Sequence, residues 1–232
     1  MFDAHAHLGS LPDVDQSEGI SGWILPGVSA ARDVASQRLA SLDSRLHAAA
    51  GLHPWYLPGA SALTEELAAL QARVDEGTIV AIGETGLDKG RRAGPRDLQL
   101  LAFRAQLQMA SKARLPLILH VVRSHGACLD EIGQVGGHLF GMVHDFCGPV
   151  ETIDSWVAAG FMLSVSPRAQ EKADVIRAIP SGSLLLETDD EGWRKLPALC
   201  ATVARIRGVD VSDLARITEC NAKQLFGLSP NV

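Results

Sequence analysis

The chain has 232 residues, a net charge of −6 and a hydrophobic content of 47%, which is enough for one large core. Single-domain α/β barrels commonly run to about 200–250 residues, and one domain over residues 1–232 is expected. The acidic balance argues against broad electrostatic wrapping of nucleic acid, although a phosphate can still be held locally. No apolar run approaches the roughly 20 residues of a membrane span, and no basic then apolar leader opens the chain. Cys128, Cys147, Cys200 and Cys220 form no C-x-x-C pair. A cytoplasmic protein with reduced thiols and no membrane partner is the expectation.

Residues 2–5 read as a short first strand, and in an extended chain His5 and His7 leave on the same face. Trp23-Ile24-Leu25 is a second strand, followed by a helical pattern with Ala31, Val34, Ala35, Leu39 and Leu42 on one face. The third strand, 46–52, ends at His53-Pro54-Trp55. Ser61 opens a helix with Leu63, Leu67, Leu70 and Val74 toward the sheet. Residues 78–82 form an apolar, β-branched run that stops at Gly83-Glu84, as a buried parallel strand delivering a carboxylate at its C-terminal end would. The basic loop 89–96 leads into a helix with Leu98, Leu101, Ala105 and Met109 expected on its inner face.

Residues 116–119 are a fifth strand ending at His120, with Arg123 and His125 in the loop beyond. Residues 139–143 end at His144 as the sixth, and Val150, Ile153 and Val157 suit an amphipathic helix. The seventh strand is 161–165, and the eighth, Leu184-Leu185-Leu186, runs into Glu187-Thr188-Asp189. Two helical segments close the chain, the second carrying Leu214, Ile217, Leu225 and Phe226. Strands alternating with helices imply a (β/α)₈ TIM barrel, because parallel strands need such crossovers. Its site should lie at the C-terminal strand ends, where His5, His7, Glu84, His120, His144 and Asp189 all fall.

Four imidazoles and two carboxylates exceed the three protein ligands of a single open tetrahedral zinc site. They suit two divalent ions about 3.5–4 Å apart, with one carboxylate bridging. Imidazole with carboxylate accommodates zinc, manganese, cobalt or magnesium, and hydrolysis is the chemistry such a pair offers. Asp190, next to Asp189, should face the opposite way in an extended segment.

Taken together, Asp3-Ala4-His5-Ala6-His7, Gly51-Leu52-His53-Pro54, Gly83-Glu84-Thr85-Gly86-Leu87-Asp88, Leu119-His120-Val121-Val122-Arg123, His144-Asp145-Phe146-Cys147-Gly148, Glu187-Thr188-Asp189 and Thr218-Glu219-Cys220-Asn221 resemble the TatD-type metal-dependent deoxyribonucleases of the amidohydrolase superfamily. The resemblance covers nearly the whole chain. It implies a barrel that hydrolyses phosphodiesters, usually as a 3′-to-5′ exonuclease on DNA. It also implies that His5, His7, Glu84 and Asp189 hold one metal while Glu84, His120 and His144 hold the other. Asp189 would orient the attacking water or accept its proton, and His53 and Arg123 would contact the phosphate.

The rim departs from the family pattern at Trp55, at Lys89, at Cys147 and in the short stretch 190–197, which opens with two acids. A hydrolase of a smaller ester, lactone, amide or aminoacyl linkage, and a weakly active barrel subunit of a larger assembly, are the alternatives. Trp55 and Trp193 read either as rim platforms for a base or as covers for apolar surface. Asn221 is expected to pack or cap a helix.

Overall fold

The computed structural model describes residues 1–11 and 17–229, without the side chains of residues 31 and 32. Ala31, expected on the inner face of the first helix, therefore lies outside the described side chains. Strands β1 (Phe2–Asp3), β2 (Gly22–Leu25) and β3 (Leu46–Ala48) pair in that order. A second set follows in chain order: β4 (Ile82–Asp88), β5 (Leu117–Val122), β6 (Gly141–Val143), β7 (Phe161–Val165) and β8 (Leu184–Leu186). Every ladder is parallel.

Backbone hydrogen bonds join the two sets at both edges. Val80 N–H donates to Ala48 C=O at 2.9 Å and Gly83 N–H to Ala50 C=O at 2.8 Å, beside the parallel bridge between Ala50 and Ile82. At the other seam Ala4 N–H donates to Leu186 C=O at 2.9 Å and His7 N–H to Asp189 C=O at 3.0 Å, beside the bridge between Ala6 and Asp189. The strands thus close into a (β/α)₈ barrel. The helices around it are α1 (Ala30–Ala40), α2 (Ala60–Glu76), α3 (Arg96–Ala113), α4 (His125–Val135), α5 (Ile153–Ala158), α6 (Ala173–Ala178), α7 (Leu196–Arg207) and α8 (Val211–Leu225). Among the described residues no helix is long and apolar enough to cross a membrane.

The two faces of each strand supply two cores, as a period of two requires. Phe2, Ala4, Ile24, Ala49, Ala81, Ile118, Met142 and Leu185 form one buried cluster, which Leu225 of α8 and the adjoining Phe226 join. Trp23, Leu25, Leu117, Leu119, Val143 and Leu163 belong to the other cluster, together with helix residues such as Phe103 and Leu107. Ile118 and Met142 share the inner face with the residues two further on, and this aims His120 and His144 into the mouth. β4 breaks the alternation: Ala81 belongs to the inner cluster and Ile82 to the outer, so a regular strand would turn Glu84 outward with Ile82. The register shift against β5 between Ile82 and Thr85 reverses the phase, as a bulge does.

Several boundaries differ from the sequence expectation. β1 stops at Asp3, before His5, and β3 stops at Ala48, with residue 50 held only by a bridge. β4 starts at Ile82 and runs through Glu84 to Asp88, and β5 runs through His120 to Val122. These two carboxylate- and imidazole-bearing segments stay extended because β4 and β5 approach closely. A Cβ on Gly86, whose φ is 143°, would sit 2.1 Å from the His120 carbonyl oxygen, so only glycine fits there.

Two helices present a different face from the expected one. On α3 the buried residues include Gln99, Ala102, Phe103, Gln106 and Leu107, while Leu101 is exposed. Gln106 accepts from Leu52 N–H at 2.9 Å, and its amide donates to the Leu52 carbonyl at 3.2 Å. Gln99 does the same for Asp88, accepting at 2.8 Å and donating at 3.1 Å. Two amides that close strand-end backbone outweigh the apolar count. On α1 Val34 is exposed, as is Leu42 beyond the end of the helix, and the buried Asp33 takes the N–H groups of Val28 at 2.9 Å and Gly51 at 3.2 Å. Trp193 is core, packed edge-on against Trp23 with ring centroids 5.9 Å apart. Asn221 donates to the carbonyls of Ser181 and Leu184, tying α8 to the start of β8.

Candidate metal centre

Glu84 is the centre of the mouth, and its two oxygens face different partners. Oε1 lies 3.7 Å from His5 Nε2 and 3.3 Å from His7 Nε2. Oε2 lies 2.9 Å from His144 Nε2, 3.7 Å from His120 Nδ1 and 3.6 Å from His53 Nε2. Asp189 Oδ1 completes the first group, 3.7 Å from His5 Nε2 and 3.5 Å from His7 Nε2. All six residues expected as ligands therefore converge, and His53 stands as close to Glu84 as His120 does.

The backbone supports this convergence. Asp189 adopts φ 52° and Asp145 φ 43°, the left-handed region that aspartate tolerates better than most residues. At Asp189, which follows Glu187 and Thr188 past the end of β8, this turn brings the carboxylate inward. Strict alternation is lost there, so Asp190 also lines the cavity of about 630 Å³ over the site, contrary to the expectation of opposite faces.

A second tier of acids stands behind two of the rings, hydrogen-bonded to His120 and within ion-pair distance of His144. His120 Nε2 lies 3.0 Å from Asp88 Oδ2, and that carboxylate also accepts from the Trp55 indole N–H and from Gly90 N–H. His144 Nδ1 lies 3.4 Å from Glu187 Oε1, which accepts the Asp145 N–H at 2.7 Å. Asp3 works through the backbone, accepting from Thr188 N–H at 3.0 Å and from the Thr188 hydroxyl at 2.6 Å. Such outer partners set ring orientation and basicity in metal sites. Asp88 and Glu187 escaped sequence reasoning, although Asp88 shares β4 with Glu84 at an even spacing and Glu187 directly follows β8.

Burial and charge push these groups apart. Burial lowers His5 well below the ordinary imidazole range and lowers His53 to about 3. At His144 burial also opposes charge, but the Glu84 and Glu187 carboxylates win and raise it well above that range. Burial would raise Glu84, yet the surrounding imidazoles, His144 and His5 first, hold it well below the carboxylate range. Asp189 is raised, chiefly by burial, and burial takes Glu187 to about 7.

The donor set fits divalent ions. His5 is fully buried, and neither of its ring nitrogens has a hydrogen-bond partner; a buried donor or acceptor left unmade costs about 1–3 kcal/mol. Its Nε2 is aimed between two carboxylate oxygens. Ligand atoms within 4.8 Å of one another form the groups His5, His7, Glu84 and His5, His144, Asp189, as well as His53, Glu84, His120.

Residues 2–227 match the family described as TatD related DNase. The chain belongs to that family. TatD, described as a 3′-5′ ssDNA/RNA exonuclease, is 34% identical in Erwinia amylovora, with 90% of each chain covered. The protein of the same name in Erwinia billingiae is 32% identical and covers 98% of this chain and 99% of its own. The solved structure of YjjV, a TatD homologue from Escherichia coli, superposes with a TM-score of 0.82 at 26% identity, over 98% of both chains. TatD-family proteins are metal-dependent, which agrees with the donor groups here.

His53, Trp55 and Arg92 of the basic loop line the rim of this TatD-family member, and the departure from expectation is at Arg123. Arg123 is exposed at the end of β5 and does not line the cavity. The arginines that do are Arg92, whose guanidinium lies 5.3 Å over the Trp55 ring, and Arg168. Trp55 is a rim residue, fixed by its indole bond to Asp88. Arg168 gave no signal in the sequence, because a single loop arginine outside any motif looks like any solvated cation.

Proposed function

We propose that this chain is a metal-dependent phosphodiesterase that removes nucleotides from the 3′ end of single-stranded DNA or RNA. His5, His7, Glu84 and Asp189 would hold one divalent ion, and Glu84, His120 and His144 the other, with zinc, manganese, cobalt and magnesium as the fitting metals. The observation that carries the reading is the division of Glu84, one oxygen toward each group of imidazoles. Bound there, the ions supply Lewis-acid stabilisation of a phosphoryl oxygen and raise the acidity of a water.

The chain's own residues do the rest. Asp189 is held beyond β8 by its bridge to Ala6, and its carboxylate accepts the proton of the attacking water. His53, buried at the cavity wall, keeps Nε2 toward the reacting centre for a phosphate oxygen. Its Nδ1 accepts the Trp55 N–H at 3.0 Å, which fixes the ring. The exonuclease names of the relatives support nucleic acid ends as the substrate class.

The test is metal-loaded protein incubated with end-labelled single-stranded DNA, RNA and a p-nitrophenyl phosphodiester, beside ester and lactone substrates. Shortening from the 3′ end is expected, and Asp189→Asn should lower turnover roughly a hundredfold or more, the scale for a positioned base. Turnover of esters or lactones alone would contradict the nuclease reading. Near-normal Asp189→Asn with collapse in Asp190→Asn would move the base to Asp190.

A further inference from the structure

Beside the imidazole cluster, one guanidinium gathers four carboxylates. Arg168 Nη1 lies 3.2 Å from Asp189 Oδ2 and 4.0 Å from Asp145 Oδ2. Its Nη2 is hydrogen-bonded to Asp190 Oδ1, and its Nε lies 3.6 Å from Glu191 Oε1. The four acids are not equally fixed. The side chain of Asp189 is 10% exposed and that of Asp145 20%, the latter with its other oxygen taken by the Ser166 hydroxyl. Asp190 is 65% exposed, and Glu191 has Lys195 as a second partner. One edge of the guanidinium is therefore built into the site while the other is paired with a side chain that can swing into water, and such exposed pairs contribute little.

A phosphodiester entering this mouth approaches Asp145, Asp189 and Asp190 and needs a cation on that side. Arg168 is in place, and a phosphate presents oxygens to an arginine fork much as a carboxylate does. We propose that Arg168 binds the substrate phosphate and positions Asp189, while Asp190 is a resident counter-ion that the phosphate displaces. This inference rests on the phosphodiester reading. Holding Oδ2 of Asp189 leaves Oδ1 toward His5 and His7, so the same guanidinium sets which oxygen faces the reacting centre. Asp190 keeps Arg168 oriented in the absence of substrate and competes with substrate for it.

The experiment uses metal-loaded protein and a 5′-labelled single-stranded oligonucleotide with phosphorothioate linkages at its 3′ end, which resists cleavage. Fluorescence anisotropy then reads binding without turnover. Arg168→Lys, which keeps the charge but loses the fork, should weaken binding about tenfold and also lower kcat on the cleavable oligonucleotide. Asp190→Asn should tighten binding roughly threefold, the worth of an exposed pair, and lower KM. Metal content should be unchanged in both.

If Arg168→Lys binds as the wild type does and changes only the melting temperature, Arg168 is a brace between two loops and the proposal is overturned. Weaker or unchanged binding by Asp190→Asn overturns the counter-ion role. A wild-type protein that does not bind the oligonucleotide at all removes the phosphodiester reading, and this proposal with it, which is a different result from a wild type that binds and variants that do not differ.

Discussion

The two sides of Glu84 are built in different ways. On the side of β5 and β6, His120 and His144 each have a carboxylate behind the ring, Asp88 at 3.0 Å and Glu187 at 3.4 Å. On the side of β1 and β8, His5 has no hydrogen bond from either ring nitrogen. It is held by the chain itself, through the seam where Asp189 N–H donates to the His5 carbonyl at 2.9 Å and by stacking on His144 with centroids 4.3 Å apart. One side is oriented by charge and the other by backbone closure of the barrel. The β5 and β6 ligands should therefore respond to outer-shell acids, and the β1 ligands to the seam.

Removing what the two sides share should have the largest effect. Glu84→Gln keeps the shape but loses the charge that serves both groups, and turnover should fall by at least a hundredfold, on the scale of losing a positioned catalytic group. A variant that keeps a tenth of the wild-type rate would show that the sides work independently. The next effect should be one-sided. Asp88→Asn and Glu187→Gln should each weaken metal binding by about 10–100-fold, and for one of the two bound ions only, which a chelator competition titration resolves. Equal weakening of both ions would erase the distinction between the two sides.

Much of this was legible in the sequence, for an identifiable reason. Apolar runs that stop at a histidine marked His120 and His144, and the Glu187-Thr188-Asp189 motif after the eighth run marked Asp189, because a parallel barrel buries its strands and places its site at their ends. Glu84 was marked too, although its inward aim depends on a register shift that no pattern of residue types reveals. Gln99, Gln106 and Asp33 were missed because a polar residue on a helix is read as solvated, and here each is buried to satisfy strand-end backbone. That same substitution of amides for apolar groups threw off the phase of α3. Sequence alone leaves Trp193 open between rim and apolar cover and assigns nothing to Arg168 for a similar reason: a loop tryptophan and a loop arginine carry no periodicity, and only the fold decides which faces the core and which the mouth.

Asp33 gives the smallest effect and shows what burial does without imidazoles. Like Glu84 it is a buried carboxylate near the mouth, but burial raises it from 3.8 to about 7 against the N–H groups of Ser29, Gly51 and Val28. The folded state then binds more protons than the unfolded chain between those two values. Stability from this group is fully present below pH 3.8 and is lost as pH rises to about 7. Asp33→Asn should flatten the fall of the urea midpoint across that window. An unchanged slope would show that Asp33 is ionised throughout and that its backbone bonds outweigh its burial.

The most direct test of the central claim, that Glu84 serves two metal positions, is metal content by elemental analysis after chelator treatment and reloading of wild-type and Glu84→Gln protein. The account predicts close to two equivalents per chain in the wild type and a marked loss in Glu84→Gln, with circular dichroism unchanged. A wild-type maximum of one equivalent or less, or a Glu84→Gln protein that retains both ions, would contradict it.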